Sequence, residues 1–201
     1  NRVTFRGGNG SAMTGSIQVV NNGKFWLDRS GNAIGDTVSV DVGSSASFYL
    51  YAAAGSDGYG SFVVDETIGG LSGSGNVLSR QDNGTAGPKL TVGGGDATAT
   101  FSGNIGESNL TSGFRITKTG LGTQTFSGVN TYRGTTTVAN GTLIAQNGQA
   151  IGDLSTVDMA DLATAALQIT HTEEVGLLTG GGPLGGNISL GTGTTLTTGN
   201  N

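Results

Sequence analysis

The chain repeats itself, and the repeated unit contains no helix able to carry it across a sheet from one strand to the next. Residues 15–25 and 134–143 share one register with a residue's slack, and both copies run on to the same four letters, Ala33-Ile34-Gly35-Asp36 and Ala150-Ile151-Gly152-Asp153. Further along, Glu66-Thr67-Ile68-Gly69-Gly70-Leu71-Ser72-Gly73 answers Glu174-Val175-Gly176-Leu177-Leu178-Thr179-Gly180, and Leu90-Thr91-Val92-Gly93 answers Leu196-Thr197-Thr198-Gly199. The separation between matched positions drifts from 117 residues to 106, as loops lengthened and shortened on a repetitive core would produce. The two copies cover roughly residues 14–103 and 133–201.

Inside each copy the hydrophobic period is two. The valines of Thr37-Val38-Ser39-Val40-Asp41-Val42 share a face, and in Phe48-Tyr49-Leu50-Tyr51 two apolar residues oppose two tyrosines. Lys89-Leu90-Thr91-Val92 and Phe114-Arg115-Ile116-Thr117 alternate in the same way. Such segments are short strands with one buried face. The one helical spacing, Met159, Leu162, Ala163, Ala166 and Leu167 behind Asp158, allows at most one short helix near residues 158–169. Asn-Gly pairs at Asn9, Asn22, Asn83, Asn140 and Asn147 mark tight turns. Alone they would suggest hairpins, but the long repeat favours a coil that stacks on itself. The expected fold is therefore all-β, a single parallel β-solenoid segment over residues 1–201. At roughly 20 residues per coil it has about ten coils, and at about 4.8 Å per coil it forms a rod near 50 Å long.

Composition supports a narrow bore and excludes several chemistries. Glycine supplies 39 of 201 positions and aromatic residues only 6%. Nine Lys and Arg against 14 Asp and Glu leave a net charge of −5, so no basic face exists to neutralise phosphates, and nucleic acid is not an expected partner. There is no cysteine and one histidine, His171, which removes disulfides, thiolate metal sites and multi-histidine metal sites. No run of 18 apolar residues is present, so no membrane insertion by a helix of this segment is expected. Without an initiator Met, and with its last residues inside a pattern, the chain reads as a fragment of something longer.

The most specific stretch is residues 117–143, with Thr117-Lys118-Thr119-Gly120-Leu121-Gly122-Thr123, then Phe126-Ser127-Gly128-Val129-Asn130-Thr131-Tyr132-Arg133-Gly134, then Thr137-Val138 and Gly141-Thr142-Leu143. It resembles the passenger-associated strand repeat of Gram-negative autotransporters. The resemblance implies a right-handed parallel β-helix, exported through the outer membrane and either displayed at the cell surface or released. It extends more loosely through residues 66–77 and 98–103. Residues 14–27, with Phe25 and Trp26, and residues 160–174, poor in glycine, depart from the pattern. No alternating strands with aromatic girdles, as an outer-membrane barrel would need, close the sequence.

Candidate chemistry is sparse. His171 stands beside Glu173 and Glu174, a base near two carboxylates, but no Gly-x-Ser-x-Gly elbow accompanies it. The acidic pairs Asp65-Glu66, Asp158 with Asp161, and Glu173-Glu174 could serve a glycan lyase or hydrolase, yet adjacent strand residues point to opposite faces. Gly93-Gly94-Gly95-Asp96 has the wrong spacing for a calcium coil. Neither a cofactor nor a metal is expected. Trp26, Tyr49, Tyr51 and Tyr59 are the candidate binding residues, as rings able to stack on sugars or anchor a protein. The expected function is adhesion to host or neighbouring cells or matrix by a non-catalytic passenger segment at the cell surface or outside the cell. Its partners would be host or bacterial surface glycans or proteins, with end-to-end or lateral self-association also open. The alternatives are a glycan-active enzyme and a filament subunit stacking end to end.

Overall fold

A computed structural model describes residues 2–6, 13–28, 33–55, 60–81, 87–108 and 113–199. The described residues form a parallel β-solenoid with three faces. The long face has eight strands: Ile17–Val19, Val40–Val42, Leu71–Gly73, Ala99–Phe101, Thr123–Phe126, Thr142–Ala145, Ala166–Ile169 and Asn187–Leu190. A threonine-rich face has six: Asp65–Ile68, Lys89–Val92, Arg115–Lys118, Thr136–Val138, Thr156–Met159 and Leu177–Gly180. The third face runs through Arg2–Arg6, Lys24–Asp28, Ser47–Gly55, Asn76–Gln81 and Asn104–Glu107, is interrupted for two coils, and resumes with Glu173–Val175 and Leu196–Thr198.

Eight strands on the long face make about seven turns, fewer than the ten expected. The reason lies in the corners. In-register partners on this face are separated by as few as 19 residues, Phe126 and Ala145, and by as many as 31, Val42 and Gly73. The widest step holds an arm: Ser47–Gly55 pairs in parallel with Asn76–Gln81 as far as Ala52, and from Ala52 on pairs antiparallel with Gly60–Val63. Seven steps at about 4.8 Å shorten the rod to roughly 34 Å.

The expected short helix is also replaced. Residues 158–169 hold the end of the strand Thr156–Met159, a turn closed by the Ala165 N–H donating to the Leu162 carbonyl at 3.0 Å, and the strand Ala166–Ile169. Val157, Met159, Leu167 and Ile169 are buried with a period of two, whereas Leu162 sits in the turn, exposed. Its apolar side chain only mimicked a helical stripe. The single helical element described is a 3-10 turn at Gly94–Asp96.

Side chains facing the bore stack on their counterparts in the next coil. On the long face Phe101, Phe126, Ala145 and Ile169 form one such column. On the third face Phe25 stacks on Phe48 with ring centroids 5.6 Å apart. Each inward residue removes apolar surface from water by touching its two neighbours along the axis. Glycine sets how tightly the corners close: a Cβ on Gly128 would lie 1.8 Å from the Gly103 carbonyl oxygen of the previous coil. Outside the bore, Thr67, Thr91, Thr117, Thr137, Asp158 and Thr179 form an unbroken outward column along six coils of the threonine face.

Replacing the fully buried Phe126 or Val138 by alanine should destabilise the chain by roughly 2 to 5 kcal/mol, while Leu121→Ala, at an exposed corner, should change little. Chemical denaturation of the three variants checks the assignment of the inward face, which equal midpoints for Phe126→Ala and wild type would contradict.

Candidate functional site

Four polar residues of the 117–143 stretch, Lys118, Gln124, Asn130 and Tyr132, are buried, and the first three bond backbone. Lys118 occupies the bore position held by Val92 in the coil before and Val138 in the coil after. It is 0% exposed. Its ammonium has three N–H donors and three acceptors: the carbonyls of Thr119 at 2.5 Å, Gly120 at 2.9 Å and Asn140 at 3.2 Å. Burial lowers its pKa to about 8 against the opposing pull of the Asp96 charge. Such a lysine would interest an enzymologist, but all its donors are engaged in tying one corner to the corner of the next coil.

Gln124 reaches past the coil beside it. Its Nε2 donates to the Leu71 carbonyl at 2.9 Å, and its Oε1 accepts the Leu71 N–H at 3.1 Å. Ala99, the residue in register with Gln124, is small enough to let the amide through. Asn130 performs the corresponding service where the third face has no strand: Oδ1 accepts the Ile105 N–H at 2.7 Å, and Nδ2 donates to the Ala150 carbonyl at 2.6 Å. Tyr132 is wholly buried, with its hydroxyl 2.8 Å from Thr136 Oγ1, which lies 3.0 Å from Ser155 Oγ. Burial pushes the Tyr132 phenol well above its ordinary pKa.

Two glutamates complete the set. Glu66 accepts the Ala33 N–H at 2.8 Å and the Ile34 N–H at 3.1 Å. Glu173 accepts the Ala150 N–H at 3.3 Å and the Ile151 N–H at 2.7 Å. The repeated Ala-Ile-Gly-Asp segment therefore receives a carboxylate from the following coil in both copies. The counterpart of Glu66 is Glu173, one residue away from the Glu174 that sequence alignment matched to it.

The acidic pairs do not converge. Asp65 lies outside with Lys89 and Arg115, each at 3.2 Å, while Glu66 points into the bore. Asp158 accepts from the Thr179 hydroxyl at 3.1 Å, and Asp161 from the N–H groups of Leu184 and Gly185 at 2.7 and 3.0 Å. Asp96 accepts the Leu121 N–H at 2.6 Å. His171 is exposed in a turn, its Nδ1 3.2 Å from Thr170 Oγ1. Among the described residues no group of three or more His, Cys, Asp or Glu is placed to hold a metal, and no helix is long and apolar enough to cross a membrane.

The aromatic candidates form a ladder. Trp26 and Tyr49 are in register on neighbouring strands and stack at 4.0 Å with planes 9° apart. The Arg2 guanidinium, on the strand at the other side of Trp26, lies 4.3 Å from its ring centroid. These neighbours leave Trp26 only 8% exposed. Tyr49 and Tyr51 are half-buried, with Tyr51 in register with Arg80. Tyr59 lies outside the described residues.

Comparison with known families matches residues 116–145 to the passenger-associated-transport-repeat. The chain carries that repeat. Repeat and parallel solenoid together fit an autotransporter passenger domain, a family whose members are secreted or surface-exposed in Gram-negative bacteria. Comparison with curated proteins and with solved structures yields no match to the chain. Within the matched residues Gln124 and Asn130 bond backbone outside the repeat, at Leu71, Ile105 and Ala150, while Lys118 ties two of the repeat's own coils together.

Asn130→Ala would orphan the Ile105 N–H and the Ala150 carbonyl, and should lower stability by about 2 to 4 kcal/mol. Thr131→Ala, exposed next to it, should cost less than about 0.5 kcal/mol. Urea unfolding of both variants tests this, and equal losses would mean that the bridging bonds carry no weight.

Proposed function

We propose that the chain is a non-catalytic segment of a passenger that acts in adhesion, its partners being glycans or proteins on host or neighbouring cells or matrix. The observation that carries this reading is the inward commitment of the polar repeat residues: Lys118, Gln124, Asn130, Glu66 and Glu173 satisfy backbone groups instead of meeting in a cleft. The outer surface left over is regular. Its threonine column offers a hydroxyl on five of six coils, with the Asp158 carboxyl on the other, at about 4.8 Å per coil, suited to many weak contacts along an extended partner whose strength comes from number. The test is binding of labelled protein to glycan and matrix-protein arrays, repeated with Thr117→Lys/Thr137→Lys. Binding lost by that variant at unchanged melting temperature is expected. Turnover of any arrayed glycan, seen as new reducing ends, would overturn the non-catalytic reading.

A further inference from the structure

The two glutamates that grip Ala-Ile-Gly-Asp segments share an electrostatic situation that their hydrogen bonds do not explain. Glu66 is 0% exposed and Glu173 1%. Both oxygens of each accept backbone N–H groups, and no cation is recorded against either carboxyl among the described residues. The charged group facing Glu66 from the gripped segment is Asp36, and the one facing Glu173 is Asp153, so each buried carboxyl has a second carboxylate as its neighbour. The Tyr132 hydroxyl is the remaining titratable group near Glu173. On the side of the following coil the residues in register are apolar, Leu90 for Glu66 and Leu196 for Glu173. Asp65, next to Glu66, and Lys89 pair with each other on the outer surface, and Glu174 alternates to the side opposite Glu173.

A carboxyl buried beside another carboxylate, with peptide dipoles but no counter-ion, holds a proton more tightly than it would in water. A neutral carboxyl still has acceptor capacity for the backbone donors. We propose that Glu66 and Glu173 form two matched proton-operated latches, each gripping the preceding coil more firmly as the surroundings turn from neutral to mildly acidic.

The direction follows from linkage. Burial, with the neighbouring Asp adding to it and the N–H bonds opposing it, raises each carboxyl from 4.5 to about 7 in the closed latch. An open latch exposes the carboxyl to water and returns it to the ordinary value. The closed form therefore binds more protons between about pH 4.5 and 7. Its advantage is full below that window, declines as pH rises through it, and is gone above about 7. Across the whole window each latch changes its closed-to-open ratio by roughly 300-fold. Opening frees the Ala33 and Ile34 amides at one joint and the Ile151 amide at the other from their carboxyl partners.

The experiment uses the full chain in two readouts. In protein labelled with ¹³C at the glutamate carboxyls, two resonances should titrate near neutrality and be removed one at a time by Glu66→Gln and Glu173→Gln. In native-state hydrogen exchange, corrected for intrinsic rates, protection of the Ile34 and Ile151 amides should be on the order of fifty-fold lower at pH 7.5 than at pH 5. Ile116, held by a strand ladder, should not follow that change. The wild-type titration keeps the test decisive if a variant fails to fold. Glutamates that all titrate near 4.5, or protection at Ile34 and Ile151 that is level across the range, would overturn the proposal.

Discussion

Every coil of this solenoid must give its peptide N–H and C=O groups to the coils above and below, because an unpaired backbone group buried beside an apolar bore costs as much as several good packing contacts. Regular strands meet that demand without help. The threonine and long faces do so through parallel ladders over most of their length. The demand becomes visible where the ladder stops, above all on the third face between Asn104–Glu107 and Glu173–Val175. There the chain uses side-chain amides and carboxyls as substitute backbone. Asn130 and Glu173 fill the third-face gap, Glu66 fills another at Ala33 and Ile34, and Gln124 serves Leu71 where the ladder on the long face thins to a single pairing. The polar positions of the passenger repeat thereby acquire a physical meaning as acceptors and donors for particular amides.

This division explains what could be read from the sequence. Alternation identified the inward residues of short strands, and Phe48, Leu90, Ile116, Phe126 and Val138 all lie in the bore. The coil count was less legible because residues per coil depend on corners and on the Ser47–Val63 arm, and neither has a hydrophobic period. Leu162 misled for a related reason, since an apolar residue in a turn obeys no period at all. The polar plugs were legible in principle. The same alternation that buries Ile116 and Phe126 also buries Lys118 and Gln124, two and two residues away, and a charged or amide side chain at a bore position requires a buried partner. Which partner it finds depends on coils one or two layers away, separated by 20 to 53 residues in the bonds of Asn130 and Gln124, and no local pattern carries that.

The internal repeat has a geometry that linear alignment conceals. Ile17–Val19 lies on the long face, but its matched stretch holds Thr136–Val138, on the threonine face. Lys24–Asp28 lies on the third face, against Thr142–Ala145 on the long face. Glu66 belongs to the threonine face and Glu173 to the third. The two copies are thus related by a rotation of one face about the axis as well as a translation along it. A segment evidently needs a given corner and a given neighbour more than it needs a given side of the rod.

In a stack where each coil touches only its neighbours, melting can begin at any joint and spread one layer at a time. Gln124 interferes with that independence, because its amide holds Leu71 across an intervening coil. Three successive layers are clasped together at this point, and the middle one, carrying Ala99, cannot peel from either side without breaking a bond that is not its own. The rod therefore has a region of longer-range cooperativity within an otherwise nearest-neighbour chain, a natural place for folding to be sealed and for unfolding to pause.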